Sequence, residues 1–145
     1  MEVNVAWNGT SGMSFLAKTG SGHAVLMDGA VEGGGHNLAP RPMEMVLLGT
    51  GGCSAYDVVL ILRKGKQDVR GCEVKLSADR AETEPKVFTK IHFHFIVTGR
   101  NLKPNLVERA IALSHEKYCS ASIMLGKTAE MSHSYEIIEE LTLAS

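Results

Sequence analysis

The chain has 145 residues, with 15 Lys and Arg against 16 Asp and Glu, a length that suits a single domain over residues 1–145. A net charge of −1 argues against nucleic acid or an anionic membrane surface as the main partner, and no apolar run approaches the ~18–20 residues of a transmembrane helix. Three cysteines do not complete a disulfide framework and the N-terminus lacks a signal-peptide pattern, so we expect a cytoplasmic protein in a reducing compartment.

The first part of the chain predicts three short strands. Polar and apolar residues alternate in Glu2–Trp7, and strand patterns recur in Ser14–Lys18 and His23–Asp28. Turn pairs such as Asn8-Gly9, which suit tight hairpins, separate these segments. We therefore predict an N-terminal three-stranded sheet.

A long helix is predicted next. Pro42 occupies a favourable first-turn position, Glu44 lies near the helix N-terminus, and apolar residues continue almost without interruption to Leu62. Because little polar surface remains on any side, the pattern is typical of a helix that is buried all round. One sheet covers only one side of such a helix, so we predict that a second subunit covers the other and that the protein is an obligate homodimer.

Glycines crowd the middle of this helix at Gly49, Gly51 and Gly52. Each costs about 1 kcal/mol relative to Ala, which indicates either a close approach by another group or a kink or restart of the helix. If the helix restarts, Cys53 lies near a helix N-terminus, where free amides and the dipole favour a thiolate. The alternative is that Cys53 is a small buried hydrophobe.

The remaining chain predicts strands and helices in an α+β arrangement. Apolar and polar residues alternate in Cys72–Ala81 and in Lys90–Thr98, which predicts two half-buried strands. Pro104 opens a second helix that runs toward Tyr118. Cys119–Leu125 predicts a short helix ended by Gly126, and Ser134–Leu141 predicts a last strand.

Cys119 is the second candidate for chemistry. His115 and Glu116, at i−4 and i−3, share a helix face with its thiol and could tune its pKa. A cysteine beside polar groups at a helix end is also often incidental. The spacing of Cys53 and Cys119 leaves a redox pair open without establishing it.

We assign structural roles to three further residues of metal-ligating types, Cys72, His92 and His94. Cys72 follows Gly71 at the start of a strand, and we assign it to packing. His92 and His94 share one face of a strand, but the apolar opposite face explains the alternation by leaving them toward solvent. With no CxxC pattern and no nucleotide-binding glycine motif, we predict no metal site and no cofactor.

Two stretches carry a family resemblance: residues 42–59, with Gly51-Gly52-Cys53-Ser54-Ala55-Tyr56-Asp57, and Glu116-Lys117-Tyr118-Cys119-Ser120. Together with the order of elements along the whole chain, they resemble the OsmC/Ohr family of thiol-dependent peroxidases, and within it the YhfA branch. The resemblance implies an OsmC-like fold that forms an intertwined homodimer with its sites at the subunit interface.

The resemblance also implies a reaction. Cys53 matches the peroxidatic thiolate, which attacks an organic hydroperoxide and becomes a sulfenic acid, and Cys119 matches the resolving thiol, which condenses with it to a disulfide. A dithiol such as a lipoyl group then reduces the pair. The family's site glutamate falls on Met43. Glu44, one residue later and turned by about 100° on the helix, is kept as the candidate for that role.

The sequence departs from the hydroperoxide reductases in a second respect, besides Met43 at the glutamate position. Their site contains an arginine from an N-terminal loop, yet no arginine precedes Arg41 here, and Lys18 lacks the bidentate fork of a guanidinium. This departure keeps a second hypothesis open, a non-enzymatic protein that binds a small apolar ligand at the dimer interface. In a third hypothesis, the cysteines serve packing alone.

Overall fold

The computed structural model describes residues 1–141 and divides into two compact units, Met1–Leu48 and Gly49–Ser145. The described residues form two three-stranded sheets and three α-helices. The α+β class predicted from the sequence is therefore confirmed. One domain over residues 1–145 and a homodimer both stay predictions.

The first unit contains the predicted N-terminal sheet. Its strands are β1 (Val3–Trp7), β2 (Phe15–Thr19) and β3 (Ala24–Met27), paired antiparallel in chain order. Trp7 lies opposite Phe15 across the first pair, so the alternation seen in the sequence sets the register. The three predicted strands are confirmed within one or two residues at each end.

A buried carboxylate organises the loop that follows β3. Asp28 is 2% exposed and accepts hydrogen bonds from the backbone N–H groups of Gly29 (2.7 Å), His36 (3.3 Å) and Leu38 (3.1 Å). These donors, with Gly29 the largest contributor, hold the pKa of Asp28 below its usual value. The loop is therefore closed around an ionised side chain.

The long helix α1 (Pro42–Lys64) is continuous through its glycines. Of the alternatives left open by the glycines, a restart near Cys53 is excluded, and Cys53 lies in the middle of the helix rather than at an N-terminus. A Cβ at Gly51 would lie 2.7 Å from Leu76 Cδ1, whereas one at Gly49 or Gly52 would meet nothing within 4 Å. Close approach by another group therefore explains Gly51 alone.

The single chain buries only one stripe of α1, and burial of the other side by a second subunit stays a prediction. Its buried residues follow helical spacing: Thr50, Gly51, Ser54, Val58 and Leu62. On the helix surface, Leu48 is 59% exposed and Tyr56 is 70% exposed. By length and composition α1 could also cross a membrane, contrary to expectation, but core helices of globular proteins meet the same criterion.

The second unit is built on a sheet with one apolar and one polar face. Its strands are β4 (Asp68–Arg80), β5 (Phe88–Arg100) and β6 (Glu130–Glu139), with β5 in the centre, antiparallel to β4 and parallel to β6. Strand β5 places four fully buried side chains on the apolar face: Ile91, Phe93, Phe95 and Val97. Strand β6 begins four residues before the predicted Ser134, because Glu130 and Ser132 also pair with β5, opposite Lys90 and His92.

Two further helices connect β5 to β6. Helix α2 (Pro104–Leu113) continues into one π-helical turn, Ser114–Tyr118, and α3 (Ser120–Leu125) follows. The turn closes with a 2.8 Å hydrogen bond from the Cys119 N–H to the Ser114 carbonyl. Ser114 and Cys119 are thereby held at the two ends of one widened turn.

Candidate active site

Three reactive side chains meet in the second unit. The sulfur atoms of Cys53 and Cys119 and a carboxylate oxygen of Asp57 all lie within 4.8 Å of one another. The structure thus brings the two candidate cysteines together, although they are 66 positions apart in the sequence. Asp57, which the sequence analysis did not single out, completes the cluster.

One face of α1 supplies half of this site. Thr50, Cys53, Ser54 and Asp57 follow the i, i+3, i+4, i+7 spacing that places helix residues on the same side. Cys53 and Asp57 are one turn apart, so their side chains project as neighbours. A continuous helix therefore positions the nucleophile candidate and the acidic group rigidly relative to each other.

Cys119 supplies the other half from the start of α3. Its side chain is fully buried, and its sulfur lies 4.0 Å from the Thr50 carbonyl oxygen of α1. The N–H of Ser122 donates to this sulfur at 3.4 Å, so Cys119 caps the short helix. Burial raises the pKa of the Cys119 thiol, an effect that the Ser122 donors partly offset.

Two buried hydroxyls fix the orientation of Asp57. The Ser114 hydroxyl donates to Asp57 Oδ2 at 2.9 Å and lies 3.1 Å from the Ser54 hydroxyl. Since the single proton of Ser114 goes to Asp57, Ser54 donates to Ser114. Both serines are fully buried, and the chain of hydroxyls ends on the carboxylate.

The two thiols differ in their exposure to solvent. Cys53 is partly exposed, whereas Cys119 is completely buried, so a substrate from solvent reaches Cys53 first. The third member of the cluster is the carboxylate of Asp57. An anion does not favour a thiolate, but it can accept the proton that a thiol releases.

Glu44 lies at the start of α1. Its carboxylate accepts a 2.9 Å hydrogen bond from the Arg41 N–H, the contact that a glutamate in the first helical turn makes in a capping box. The Glu44 side chain is exposed and belongs to the first unit. Its structural role is therefore helix capping, and its role in the chemistry of Cys53 stays a prediction.

The two polar neighbours proposed for Cys119 lie elsewhere than expected. The His115 ring packs edge-on against Phe93, with centroids 4.6 Å apart, and stacks on His133 at 5.1 Å. Burial, with a smaller contribution from His133, lowers the pKa of His115 to about 4. Glu116 is exposed. The α-helical spacing that would place His115 and Glu116 on the same face as Cys119 does not apply, because residues 114–118 form a π-helical turn.

Cys72 lies inside β4 rather than at its start. It is half-buried on the apolar face of the sheet, and burial raises the pKa of its thiol. Its side chain lines an open groove of about 380 Å³ on the side of α1. The groove is mostly apolar and is formed by Gly52, Ala55, Tyr56, Val59, Leu60, Arg63 and Cys72.

The strand histidines occupy the polar face of the sheet, as expected. The His92 ring contacts the hydroxyls of Ser132 (2.7 Å) and Ser134 (2.9 Å). The His94 ring contacts the hydroxyl of Ser134 (2.7 Å) and the carboxylate of Glu136 (3.3 Å). Within residues 1–141, three potential metal ligands come together at the thiol cluster and not at these histidines.

Comparison with known proteins places the chain in a family. The model of the family described as OsmC-like protein matches residues 34–134. The chain belongs to the OsmC-like family. Protein YhfA of Escherichia coli K12 is 53% identical over 138 residues, which are 95% of this chain and 98% of that protein. The family resemblance drawn from the two cysteine stretches is therefore confirmed.

Solved structures agree with this OsmC-like assignment. A hypothetical protein from Aquifex aeolicus VF5 is 28% identical, with a TM-score of 0.83 over 97% of each chain. An organic hydroperoxide resistance protein OsmC from Legionella pneumophila is 17% identical, with a TM-score of 0.66 over 94% of this chain and 97% of its own. At that identity the second likeness shows the fold alone.

Proposed function

We propose that this OsmC-like protein is a thiol-dependent peroxidase that reduces organic hydroperoxides, with Cys53 as the nucleophile and Cys119 as the resolving thiol. The observation that carries the proposal is the approach of the two sulfur atoms to within 4.8 Å. A disulfide bond is about 2.05 Å long, so the sulfurs need to approach each other by less than about 3 Å. Side-chain rotation can supply a movement of that size.

The proposed reaction balances in two steps. The Cys53 thiolate attacks the O–O bond of the hydroperoxide, sulfenic acid forms on Cys53, and the alkoxide takes up a proton and leaves as the alcohol. Cys119 then attacks the sulfenic sulfur, and a Cys53–Cys119 disulfide forms with release of water. A dithiol or lipoyl reductant restores both thiols and is itself oxidised to a disulfide.

Asp57 is the group we assign to proton transfer. Its carboxylate is near enough to Cys53 for one water molecule to bridge them, and Ser114 holds it in place. It accepts the proton of Cys53 and returns it to the departing alkoxide. The neutral Cys119 thiol, favoured by burial, adds no second negative charge during the first step.

Steady-state turnover of an alkyl hydroperoxide with a dithiol reductant tests the proposal. We expect Cys53→Ser to abolish turnover and Cys119→Ser to leave a sulfenic acid on Cys53 that a dimedone-type probe traps. Cys72→Ser is the matched control, because Cys72 is a half-buried cysteine outside the cluster. Unchanged turnover in Cys53→Ser would contradict the proposed peroxidase function.

The groove beside α1 favours a second candidate function, the binding of a small apolar ligand. Its apolar lining, and a sequence in which no arginine precedes Arg41, support a non-enzymatic role. This hypothesis predicts that an apolar ligand raises the melting temperature of both the native protein and the Cys53→Ser/Cys119→Ser variant. Stabilisation that disappears in the variant would argue against it.

The predicted setting of either function is a cytoplasmic homodimer. The exposed apolar side of α1 supports the dimer, since burying that side removes apolar surface from water. The residue charges support a partnership with small molecules rather than with nucleic acid or a membrane surface.

A further inference from the structure

The Cys53–Asp57–Cys119 cluster has a composition that a redox pair alone does not require. It joins two thiols and a carboxylate whose ligand atoms lie within 4.8 Å of one another. Asp57 forms no ion pair with Lys or Arg within 4.0 Å in the described part of the chain. When both thiols are ionised, the cluster has three negative charges and space for a shared cation.

The distances fit a tetrahedral zinc ion. With a Zn–S distance of about 2.3 Å and a Zn–O distance of about 2.0–2.2 Å, tetrahedral angles place the ligand atoms roughly 3.5–3.8 Å apart. The separations in the structure exceed these values by no more than about 1.3 Å. Small rotations of three side chains are therefore sufficient to form the coordination sphere.

The surroundings of the cluster match those of a metal site. Ser114 donates to Asp57 Oδ2, which leaves the other carboxylate oxygen available and fixes the orientation of the carboxylate. The Ser122 N–H donates to the Cys119 sulfur and stabilises it as a thiolate ligand. The partial exposure of Cys53 leaves room for water as the fourth ligand.

We propose that the reduced protein binds one Zn²⁺ per chain through Cys53 Sγ, Cys119 Sγ and a carboxylate oxygen of Asp57. Two thiolates and one carboxylate suit zinc better than magnesium or calcium, which prefer oxygen ligands. Binding replaces two thiol protons with the metal, so two protons are released for each ion bound. No electron is transferred, and the bound ion protects both sulfurs from oxidation.

Zinc titration of the untagged, fully reduced protein against a chromophoric chelator tests the site. We expect one equivalent of Zn²⁺ and the release of two protons, measured with a pH indicator. Co²⁺ in place of Zn²⁺ is expected to give the charge-transfer absorption of cobalt–thiolate bonds. A stoichiometry well below one, or cobalt spectra without thiolate bands, would overturn the proposal.

Variants identify the ligands. We expect Cys53→Ser and Cys119→Ser each to lower the zinc affinity at least a hundredfold, and Asp57→Asn, nearly identical in shape, to lower it at least tenfold. Cys72→Ser keeps the affinity, since Cys72 lies outside the cluster. Equal affinity in Asp57→Asn and the native protein, with native circular dichroism in both, would contradict the three-ligand site.

The metal site and the proposed peroxidase activity are tested separately, because the zinc titration needs no hydroperoxide. A protein that binds zinc through these ligands but does not reduce hydroperoxides supports the metal site and contradicts the proposed function. A protein that reduces hydroperoxides but binds no zinc supports the proposed function and contradicts the metal site.

Discussion

Ser114 is the residue on which the orientation of Asp57 depends. We predict that Ser114→Ala lowers the free energy of unfolding by about 1–3 kcal/mol, because it removes a buried donor to a carboxylate and leaves the Ser54 hydroxyl without its acceptor. Urea denaturation followed by circular dichroism measures the change. The control is Ser120→Ala, at an exposed serine. Equal stabilities of the two variants would mean that the hydroxyl chain contributes nothing.

His115 makes the stability of the second unit dependent on pH. Its pKa is lowered from 6.5 to about 4, so between these values the unfolded chain binds a proton that the folded chain does not. The contribution of neutral His115 is therefore fully present above pH 6.5 and is lost as the pH falls toward 4. We predict that the free energy of unfolding decreases over this interval and that His115→Phe removes that part of the decrease.

Urea denaturation at intervals between pH 7 and pH 4 measures this effect. His23→Gln serves as the control, since His23 is an exposed histidine of the first unit. An identical pH profile for the native protein and His115→Phe would contradict the assignment.

In the first turn of α1, two roles of Glu44 can be separated by mutation. We predict that Glu44→Ala lowers the free energy of unfolding by about 0.5–1 kcal/mol, because the Arg41 N–H loses its acceptor. Glu44→Gln keeps that hydrogen bond and the stability. If Glu44 is also a site residue, Glu44→Gln lowers hydroperoxide turnover at unchanged stability, whereas native turnover would restrict Glu44 to capping.

The strands were predictable from the sequence because their alternation has a direct physical cause. Val74, Leu76 and Ala78 face the apolar side of the second sheet, as their spacing indicates. The glycines of α1 left a close approach and a helix restart both open, since the contact of Leu76 with Gly51 is a tertiary contact that helix propensity does not contain.

The thiol site was predictable only in part. Cys53 and Cys119 stood out by residue type and surroundings, but their proximity depends on the packing of α1 against the π-helical turn. The i, i+4 spacing of Cys53 and Asp57 was present in the sequence and would have identified Asp57 on a continuous helix. Ser114 gave no local signal, because its partners lie 57 and 60 residues away.

The exposed apolar side of α1 predicts that two chains associate. We expect light scattering coupled to size exclusion to give the mass of two chains at low micromolar concentration. Tyr56→Glu places a charge on this side and is expected to weaken the dimer at least tenfold, whereas Lys75→Glu, on the polar face of the second sheet, does not. A stable native monomer at that concentration would contradict the homodimer.

The proposed function requires Cys53 and Cys119 to form one redox couple. Mass spectrometry of the reduced protein after one equivalent of tert-butyl hydroperoxide tests this requirement. We expect one molecule of tert-butanol per chain, an intramolecular Cys53–Cys119 disulfide, and a Cys72 thiol that is still alkylated after unfolding. Three alkylated thiols after the same treatment would rule out the redox couple.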